Sequence, residues 1–202
     1  MKKNLWLFDF DGTITTADTL LCFIRHACGA WRFAAGFALF SPLLVLMKMH
    51  LYPNYKAKQR LFAWFFKGMG EAQFNAACER FAAENGHLLR PEAVKLIGGV
   101  LQEGEPVCIV SASIDNWVRP FFRNIAPQAT PRPIIIGTRI EVKDGIVTGR
   151  FATSNCYGKE KVRRVRELFP DRDNYLITAF GDSRGDKEML DYADKNFFKP
   201  FR

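Results

Sequence analysis

The stretch NLWLFDFDGT, residues 4–13, decides the fold of this chain. Residues 5–8 form a short apolar run that is followed by acidic residues and a glycine, which predicts a buried strand ending at Asp9 or Phe10. Because side chains alternate along a strand, we expect Asp9 and Asp11 to project to one side and Phe10 to the other. The sequence therefore predicts that two carboxylates converge at the end of one strand.

Short apolar runs recur after this stretch, and helical periodicity lies between them. Strands are predicted at 107–110, 134–136 and 175–180, together with a hairpin of 139–142 and 146–151 that turns at Asp144-Gly145. Helices are predicted at 91–102, 114–124 and 159–169 and through Met189 and Leu190. This alternation predicts an α/β fold, a doubly wound parallel sheet covered by helices on both faces. In such sheets the site lies beyond the carboxyl ends of the strands.

A long helical segment separates the first two predicted strands. Helical patterns cover 18–28, 33–47, 55–66 and 71–84. A length of 202 residues fits one domain with an insertion. We therefore expect an α/β core of residues 1–14 plus 88–202 and an inserted α-helical cap of residues 15–87.

Composition excludes several classes of protein. Hydrophobic residues make up 48% of the chain and charged residues 25%, which is too apolar for a disordered or collagen-like chain. The five cysteines are dispersed and lack metal-ligand spacing, so we expect neither disulfides nor a zinc site, and a reducing compartment. Lys2 and Lys3 precede an apolar run that Asp9 interrupts too early for a signal peptide, so the prediction is a cytoplasmic protein.

Polar residues follow three of the predicted strands, where the sheet would place a site. They are Asp9 to Thr13, Ser111 to Ser113 and Gly181 to Asp186. Two carboxylates 4 Å apart repel by roughly 4 kcal/mol at an effective dielectric constant near 20, so a cation is needed among them. Hard oxygen donors without softer ligands indicate Mg²⁺. The alternative is that these segments are only turns and helix caps.

Four motifs in a fixed order resemble the haloacid dehalogenase superfamily, in its phosphoserine-phosphatase-like subfamily IB with a helical cap between the first two motifs. Asp9-Phe10-Asp11-Gly12-Thr13 is similar to motif one and Val110-Ser111-Ala112-Ser113 to motif two. Lys161 is similar to the lysine of motif three, and the segment from Gly181 to Asp186 to motif four. The resemblance covers nearly the whole chain except the cap, and it implies a Rossmann-like core.

The resemblance implies a role for each of five residues. Asp9 would be the nucleophile that forms an aspartyl phosphate, and Asp11 the general acid and base. Asp9, Asp182 and the backbone carbonyl of Asp11 would bind Mg²⁺. Ser111 and Lys161 would bind the phosphate of the substrate. A carboxylate two residues after the nucleophile favours a hydrolase.

The roles of several further residues have more than one interpretation. Lys159 competes with Lys161 for motif three, and the spacing favours Lys161. Asp186 would hold the metal site or Lys161 in place, or be an ordinary surface charge. Asp18 is similar to the acidic residue that binds the amino group of serine in phosphoserine phosphatases, or it caps the next helix. Gly185 replaces an Asn of those enzymes, which argues against phosphoserine as substrate.

The resulting functional prediction is a Mg²⁺-dependent phosphomonoester hydrolase. Its substrate would be a small phosphorylated metabolite or a phospholipid-type phosphate, the latter at a membrane surface. A phosphotransferase or mutase with the same aspartyl-phosphate chemistry is the alternative enzyme class, and a non-catalytic binding module is a third. The sequence favours catalysis because the general acid and the metal ligands are all present.

Basic and apolar residues dominate the predicted cap. The formal net charge is +8, yet from Leu20 to Gly70 there is no acidic residue. Within it, Phe33 to Met47 carries no charge, and as a helix it would be about 22 Å long, too short to cross a bilayer core of about 30 Å. Pro42 is expected to kink this helix.

Two interpretations of this uncharged run are open. It would either lie on an anionic membrane surface, placing the protein at the inner face of the membrane, or form the buried core of the cap or a dimer contact. Nucleic-acid binding is not expected, because the basic residues are mixed with apolar runs and form no polar basic face.

Overall fold

The computed structural model describes residues 2–49 and 51–202. Five parallel strands form its main sheet: β1 (Lys3–Phe8), β2 (Val107–Ile114), β3 (Ile134–Thr138), β6 (Tyr175–Gly181) and β7 (Lys195–Phe198). Their order is β3-β2-β1-β6-β7, so β1 is the central strand. A separate antiparallel hairpin consists of β4 (Ile140–Lys143) and β5 (Ile146–Phe151).

Seven α-helices complete the described part of the chain. They are α1 (Thr19–Lys48), α2 (Asn54–Phe66), α3 (Glu71–Glu84), α4 (Pro91–Gln102), α5 (Asp115–Val118), α6 (Lys159–Leu168) and α7 (Lys187–Tyr192). Helices α1 to α3 lie between β1 and β2 along the chain, as expected for an inserted helical cap. The predicted α/β fold with a parallel sheet is confirmed.

Alternating side chains of the central strands pack on opposite faces of the sheet. Phe8, Ile109 and Phe180 belong to one apolar cluster, which continues into α4 and the inserted helices. Leu7 and Val110, the direct neighbours of Phe8 and Ile109, belong to a second cluster with α6 and α7. Both faces are therefore covered, which is why the strands are apolar on both sides.

Three elements differ from the sequence prediction. The helix expected at 114–124 is one turn of α5 followed by a 3₁₀ turn, Arg119–Phe122. Strand β2 runs on to Ile114, so Ser111 to Ser113 lie within the strand. Strand β7 was not predicted, because it is short and solvent-exposed at the sheet edge and lacks the apolar pattern of a buried strand.

Helix α1 is interrupted at Gly29, in the gap between the predicted segments 18–28 and 33–47, and not at Pro42, where a kink was expected. Gly29 has φ 79° and ψ 161°, whereas the helical backbone continues through Pro42. Pro42 cannot donate to the carbonyl four residues before it, that of Ala38. The hydroxyl of Ser41 donates to that carbonyl at 2.8 Å, which supplies the missing hydrogen bond.

Close backbone approaches hold the inserted helices and the hairpin together. A Cβ on Gly36 of α1 would lie 2.5 Å from the ring of Phe65 in α2, so only glycine allows these helices to pack this closely. Gly149 of β5 packs in the same way, with its Cβ position 2.8 Å from that of Ala63. The hairpin therefore lies on α2 and is separate from the main sheet.

Helix α1 also meets the length and hydropathy criteria of a membrane span. An 18-residue stretch of Thr19–Lys48 has a mean hydropathy of 1.6, and only 6% of that stretch is buried. Core helices and signal sequences pass the same test, so the result by itself is weak.

Candidate active site

The candidate site begins at the turn that follows β1. The backbone N–H of Asp9 donates to the carbonyl of Phe180 at 2.9 Å, which fixes Asp9 at the carboxyl end of the sheet. Gly12 follows with φ +80°, and a Cβ at this position would lie 2.5 Å from a carboxylate oxygen of Asp182. Phe10 is fully buried in the core, while Asp9 and Asp11 line one cavity. This separation comes from the turn, because the extended strand already ends at Phe8.

Lys161 connects three parts of the fold through its ammonium group. Nζ donates to Oδ1 of Asp9 at 2.5 Å, to Oδ1 of Asp186 at 2.6 Å and to the carbonyl of Val110 at 2.6 Å. Burial by itself would lower the pKa of Lys161, but the two carboxylates outweigh it and hold the pKa above its usual value. Lys159, the alternative for motif three, is exposed, so Lys161 is the lysine that contacts Asp9.

Asp186 is saturated with hydrogen bonds. Its Oδ1 accepts from Lys161, and its Oδ2 accepts from the backbone N–H of Asp182 at 3.1 Å. The same Oδ2 accepts from the backbone N–H and the hydroxyl of Ser183 at 2.9 and 2.8 Å. Burial opposes ionisation of Asp186, but Lys161 and the bonds from Ser183 together lower its pKa. Asp186 thus anchors Lys161 and the loop that carries Asp182.

Asp9 and Asp182 are the two side chains predicted to bind Mg²⁺ together with the backbone carbonyl of Asp11. Carboxylate oxygens of Asp9, Asp182 and Asp186 lie within 4.8 Å of one another, and the Thr13 hydroxyl is 3.3 Å from Asp9 and 3.4 Å from Asp182. Burial raises the pKa of Asp9 to about 7 despite the charge of Lys161.

Charge and donor type at this pair fit a hard divalent cation. Burial also raises the pKa of Asp182, which is paired with Arg202. Buried carboxylates with raised pKa values gain most from a cation, and their oxygen donors suit Mg²⁺. Because Asp186 is already saturated, Asp9 and Asp182 are the residues that would hold it.

Asp11 is held by the inserted helices and β2. Its Oδ1 accepts from the backbone N–H of Thr19 at 2.7 Å and from the Thr19 hydroxyl at 2.6 Å, and its Oδ2 accepts from the hydroxyl of Ser113. Trp117 in turn donates its indole N–H to the Thr19 hydroxyl at 3.1 Å. The Asp11 carboxylate is therefore turned towards the cap, and it is absent from the acidic cluster found among the described residues.

A cavity of about 360 Å³ opens beside these groups, with a polar end and an apolar end. Asp9, Asp11, Ser111 and Lys161 line the polar end. Ser111 is buried, and its hydroxyl accepts from the backbone N–H of Ser113 at 3.0 Å. The apolar residues that line the cavity come from the inserted helices: Leu20, Leu21, Phe37, Leu44, Met47 and Leu61.

Two further charged residues line the cavity. Asp18 lines the cavity and also caps α1, because its side chain accepts from the backbone N–H of Leu20 at 2.9 Å. Burial raises the pKa of Asp18, and the neighbouring Asp11 adds to this effect. Lys58 of α2 donates to the carbonyl of Ala112 at 2.9 Å, and burial lowers its pKa against the opposing charges of Asp11 and Asp18.

Tyr157 occupies the space beside Gly185. A Cβ on Gly185 would lie 2.4 Å from the ring of Tyr157, so no larger residue fits without moving this ring. Tyr157 also lines the cavity. At the position where the resemblance places an Asn of phosphoserine phosphatases, this chain therefore has Gly185 with the ring of Tyr157 beside it.

Sequence reasoning missed Lys58, Thr19 and Tyr157, and it assigned no role to Ser113. Lys58 is one of seven basic residues in a long segment without acidic residues, so nothing local distinguishes it. Ser113 is two residues after Ser111, and alternation along a strand was the available signal that both face the same side.

Residues 6–191 match the family model of haloacid dehalogenase-like hydrolases. This chain belongs to that family. A relative in Caulobacter vibrioides, protein CicA, is 36% identical over 199 residues, covering 96% of this chain and 85% of the relative. The hydrolase class of the protein follows from this membership.

Solved structures share the fold at lower sequence identity. A Bordetella pertussis Tohama I protein described as of unknown function has a TM-score of 0.84 at 20% identity, over 98% of this chain and 90% of its own. A substrate-bound phosphoserine phosphatase has a TM-score of 0.67 at 19% identity, over 97% and 85%. These neighbours agree with the phosphoserine-phosphatase-like fold that the motifs predicted.

Proposed function

We propose that this protein is a Mg²⁺-dependent phosphomonoester hydrolase in which Asp9 is the nucleophile. One observation carries the proposal: the buried Asp9 carboxylate is held by Lys161 at the polar end of a cavity that Asp11 also lines. A nucleophile, an adjacent cation and a separately held carboxyl group are the parts that phosphoryl transfer through an aspartyl phosphate requires. Family membership adds support, since the family is one of hydrolases.

The proposed reaction has two steps. An oxygen of Asp9 attacks phosphorus, the bond from phosphorus to the leaving oxygen breaks, and Asp11 gives its proton to that oxygen. Water then attacks the phosphorus of the aspartyl phosphate and gives a proton to Asp11, and the bond from phosphorus to Asp9 breaks. Thr19 and Ser113 hold Asp11 throughout, so the same carboxyl group serves both steps.

The surrounding residues have distinct parts in these steps. Mg²⁺ held by Asp9 and Asp182 would supply charge neutralisation between the nucleophile and the phosphate. Lys161 donates to Oδ1 of Asp9 and so fixes the orientation of the carboxylate at the polar end of the cavity. Ser111 lies at the same end of the cavity, where its hydroxyl can donate to a phosphate oxygen.

The cavity wall favours a leaving group with an apolar part. The apolar end of the cavity consists of aliphatic and aromatic side chains, and Lys58 adds one cation to the lining. The ring of Tyr157 fills the space beside Gly185. This aromatic lining argues against phosphoserine as the substrate, because the leaving group of phosphoserine is small and highly polar. Substrates of this class are phosphomonoesters of amphipathic alcohols, including phospholipid-type phosphates.

A phosphate-release screen over phosphorylated metabolites and phosphorylated lipids tests this function. We expect Mg²⁺-dependent turnover that Asp9→Asn reduces by at least about 10³-fold, because the amide cannot act as the nucleophile. Asp171→Asn, at an exposed position, is the matched control and should retain full activity. Full Mg²⁺-dependent turnover by Asp9→Asn would contradict the assignment. Phosphoryl transfer to added alcohol in preference to water would make the protein a phosphotransferase.

A further inference from the structure

The part of α1 after Gly29 is apolar on both sides. Its inner side packs on α2 and lines the cavity, through Gly36 against Phe65 and through Phe37 and Met47 at the cavity wall. Its outer side is open to solvent and carries large apolar residues that are 42% to 83% exposed: Trp31, Leu39, Val45, Leu46 and Met49. At about 3.6 residues per turn these five positions fall within roughly a third of the helix circumference. We call these five residues the outer face.

The outer face is larger than the scattered apolar residues of an ordinary surface. It extends over about five helical turns without a charged residue among its members, and soluble proteins rarely expose such continuous apolar patches unless the patch binds something. A helix that is apolar all round is normally buried on all sides. The fold supplies a cover for the inner side of this helix only.

Charge around the outer face selects the type of partner. Arg32, Lys48, Lys56 and Arg60 are exposed on or next to α1, and no acidic residue occurs between Leu20 and Gly70. In a symmetric dimer the same patch would face itself, so these positive charges would face each other and repel. A partner that is apolar in its interior and anionic at its surface satisfies both features.

The geometry favours a helix lying flat on that partner. Residues 30–48 would extend about 28 Å, and their inner side is already held on α2 through Gly36. Crossing a bilayer would remove these contacts and the cavity wall, whereas lying in the interface keeps them. Trp31 at one end of the outer face is of the type enriched at membrane interfaces.

We propose that the outer face of α1 docks this protein on a membrane surface that contains anionic lipids. The apolar side chains enter the headgroup and acyl boundary, and the flanking Lys and Arg contact anionic headgroups. The same helix brings the cavity next to the bilayer, because Phe37, Leu44 and Met47 line the cavity from its inner side. Resting on the proposed function, docking would present the site to phosphomonoesters that reside in the bilayer.

Vesicle flotation tests the docking directly. The full chain is mixed with phosphatidylcholine vesicles that contain phosphatidylglycerol or with phosphatidylcholine vesicles alone. We expect flotation with the anionic vesicles, weakening at high salt because the contribution of the basic residues is screened. The double variant Leu39→Glu with Leu46→Glu should reduce binding by about tenfold or more, since it places two charges in the apolar contact.

A matched control separates docking from loss of structure and from loss of catalysis. Leu168→Glu with Phe198→Glu adds the same charges at exposed positions outside the inserted helices, and it should float like the unmodified chain. Both double variants should hydrolyse a water-soluble phosphomonoester such as p-nitrophenyl phosphate at the rate of the unmodified chain. If neither the unmodified chain nor either double variant hydrolyses this compound, the result would count against the proposed function. The flotation result would remain valid.

Three results would overturn the docking proposal. The unmodified chain would fail to float with anionic vesicles, or the outer-face variant would float as well as the control variant. In the third, the unmodified chain would sediment as a dimer that the outer-face variant disrupts, without vesicle binding. That result would assign the outer face to a second copy of this chain.

Discussion

Replacing Lys161 by Met removes the cation that joins Asp9 to Asp186. Both carboxylates are buried, and each lies 2.5 to 2.6 Å from Nζ. Met retains most of the volume of the side chain but cannot donate a hydrogen bond. The variant therefore leaves two buried carboxylates, and the carbonyl of Val110, without their partner.

The expected loss in the free energy of unfolding is about 3–5 kcal/mol, the range for removing one partner of a buried ion pair. The upper part of this range is favoured because the lysine side chain is only 2% exposed and bridges two carboxylates. Repulsion between Asp9 and Asp186 accounts for the upper part of this range, since two charges 4 Å apart cost roughly 4 kcal/mol at an effective dielectric constant near 20.

The loss should depend on pH with a definite sign. Burial already raises the folded-state pKa of Asp9 to about 7, and loss of Lys161 raises it further, while Asp186 loses the cation that helps to lower its pKa. A carboxyl group with a raised folded-state pKa favours folding when protonated, so the stability of the variant falls as pH rises. We expect a larger difference between variant and unmodified chain at pH 8 than at pH 5.5.

Urea unfolding in the presence of EDTA measures this difference without a bound cation that could replace the lysine. Lys159→Met is the matched control, because Lys159 lies on the same helix two residues earlier and is exposed. The control should change the free energy of unfolding by less than about 0.5 kcal/mol. Equal stability of the two variants at pH 8 would refute the reasoning that the buried ion triad holds the site together.

Two further predictions concern packing and cysteine chemistry. Gly185→Asn should lower the free energy of unfolding by about 1–3 kcal/mol, because the added side chain collides with Tyr157. The variant should not gain phosphoserine phosphatase activity. Activity on phosphoserine at unchanged stability would contradict this account. Cys108 and Cys156 are fully buried, and burial raises their pKa values to about 12 and about 11. At pH 8 their thiols should remain unreactive towards Ellman's reagent in the native protein and react only after unfolding, whereas the partly exposed Cys22 and Cys28 should react first.

Local patterns were sufficient for most strands and helices. The Asp144-Gly145 turn marked the hairpin, and alternation of apolar runs with helical periodicity identified the parallel sheet. The errors lie where a side-chain hydrogen bond or a distant strand decides. The expected kink at Pro42 does not interrupt α1, since the hydroxyl of Ser41 satisfies the carbonyl that proline leaves free. Strand β7 forms because it pairs with β6, and no local signal records that pairing.

The sequence by itself determined three features of this protein: which predicted strand ends carry carboxylates, that Lys161 resembles the lysine of motif three, and that the inserted segment is basic and apolar. Residue type and spacing are sufficient for these statements, because strand alternation and motif order are local properties. Only the tertiary structure decided that Lys58, Thr19 and Tyr157 face the site and that one side of α1 is left uncovered. Such facts depend on how distant segments pack, and packing is fixed by the whole chain at once.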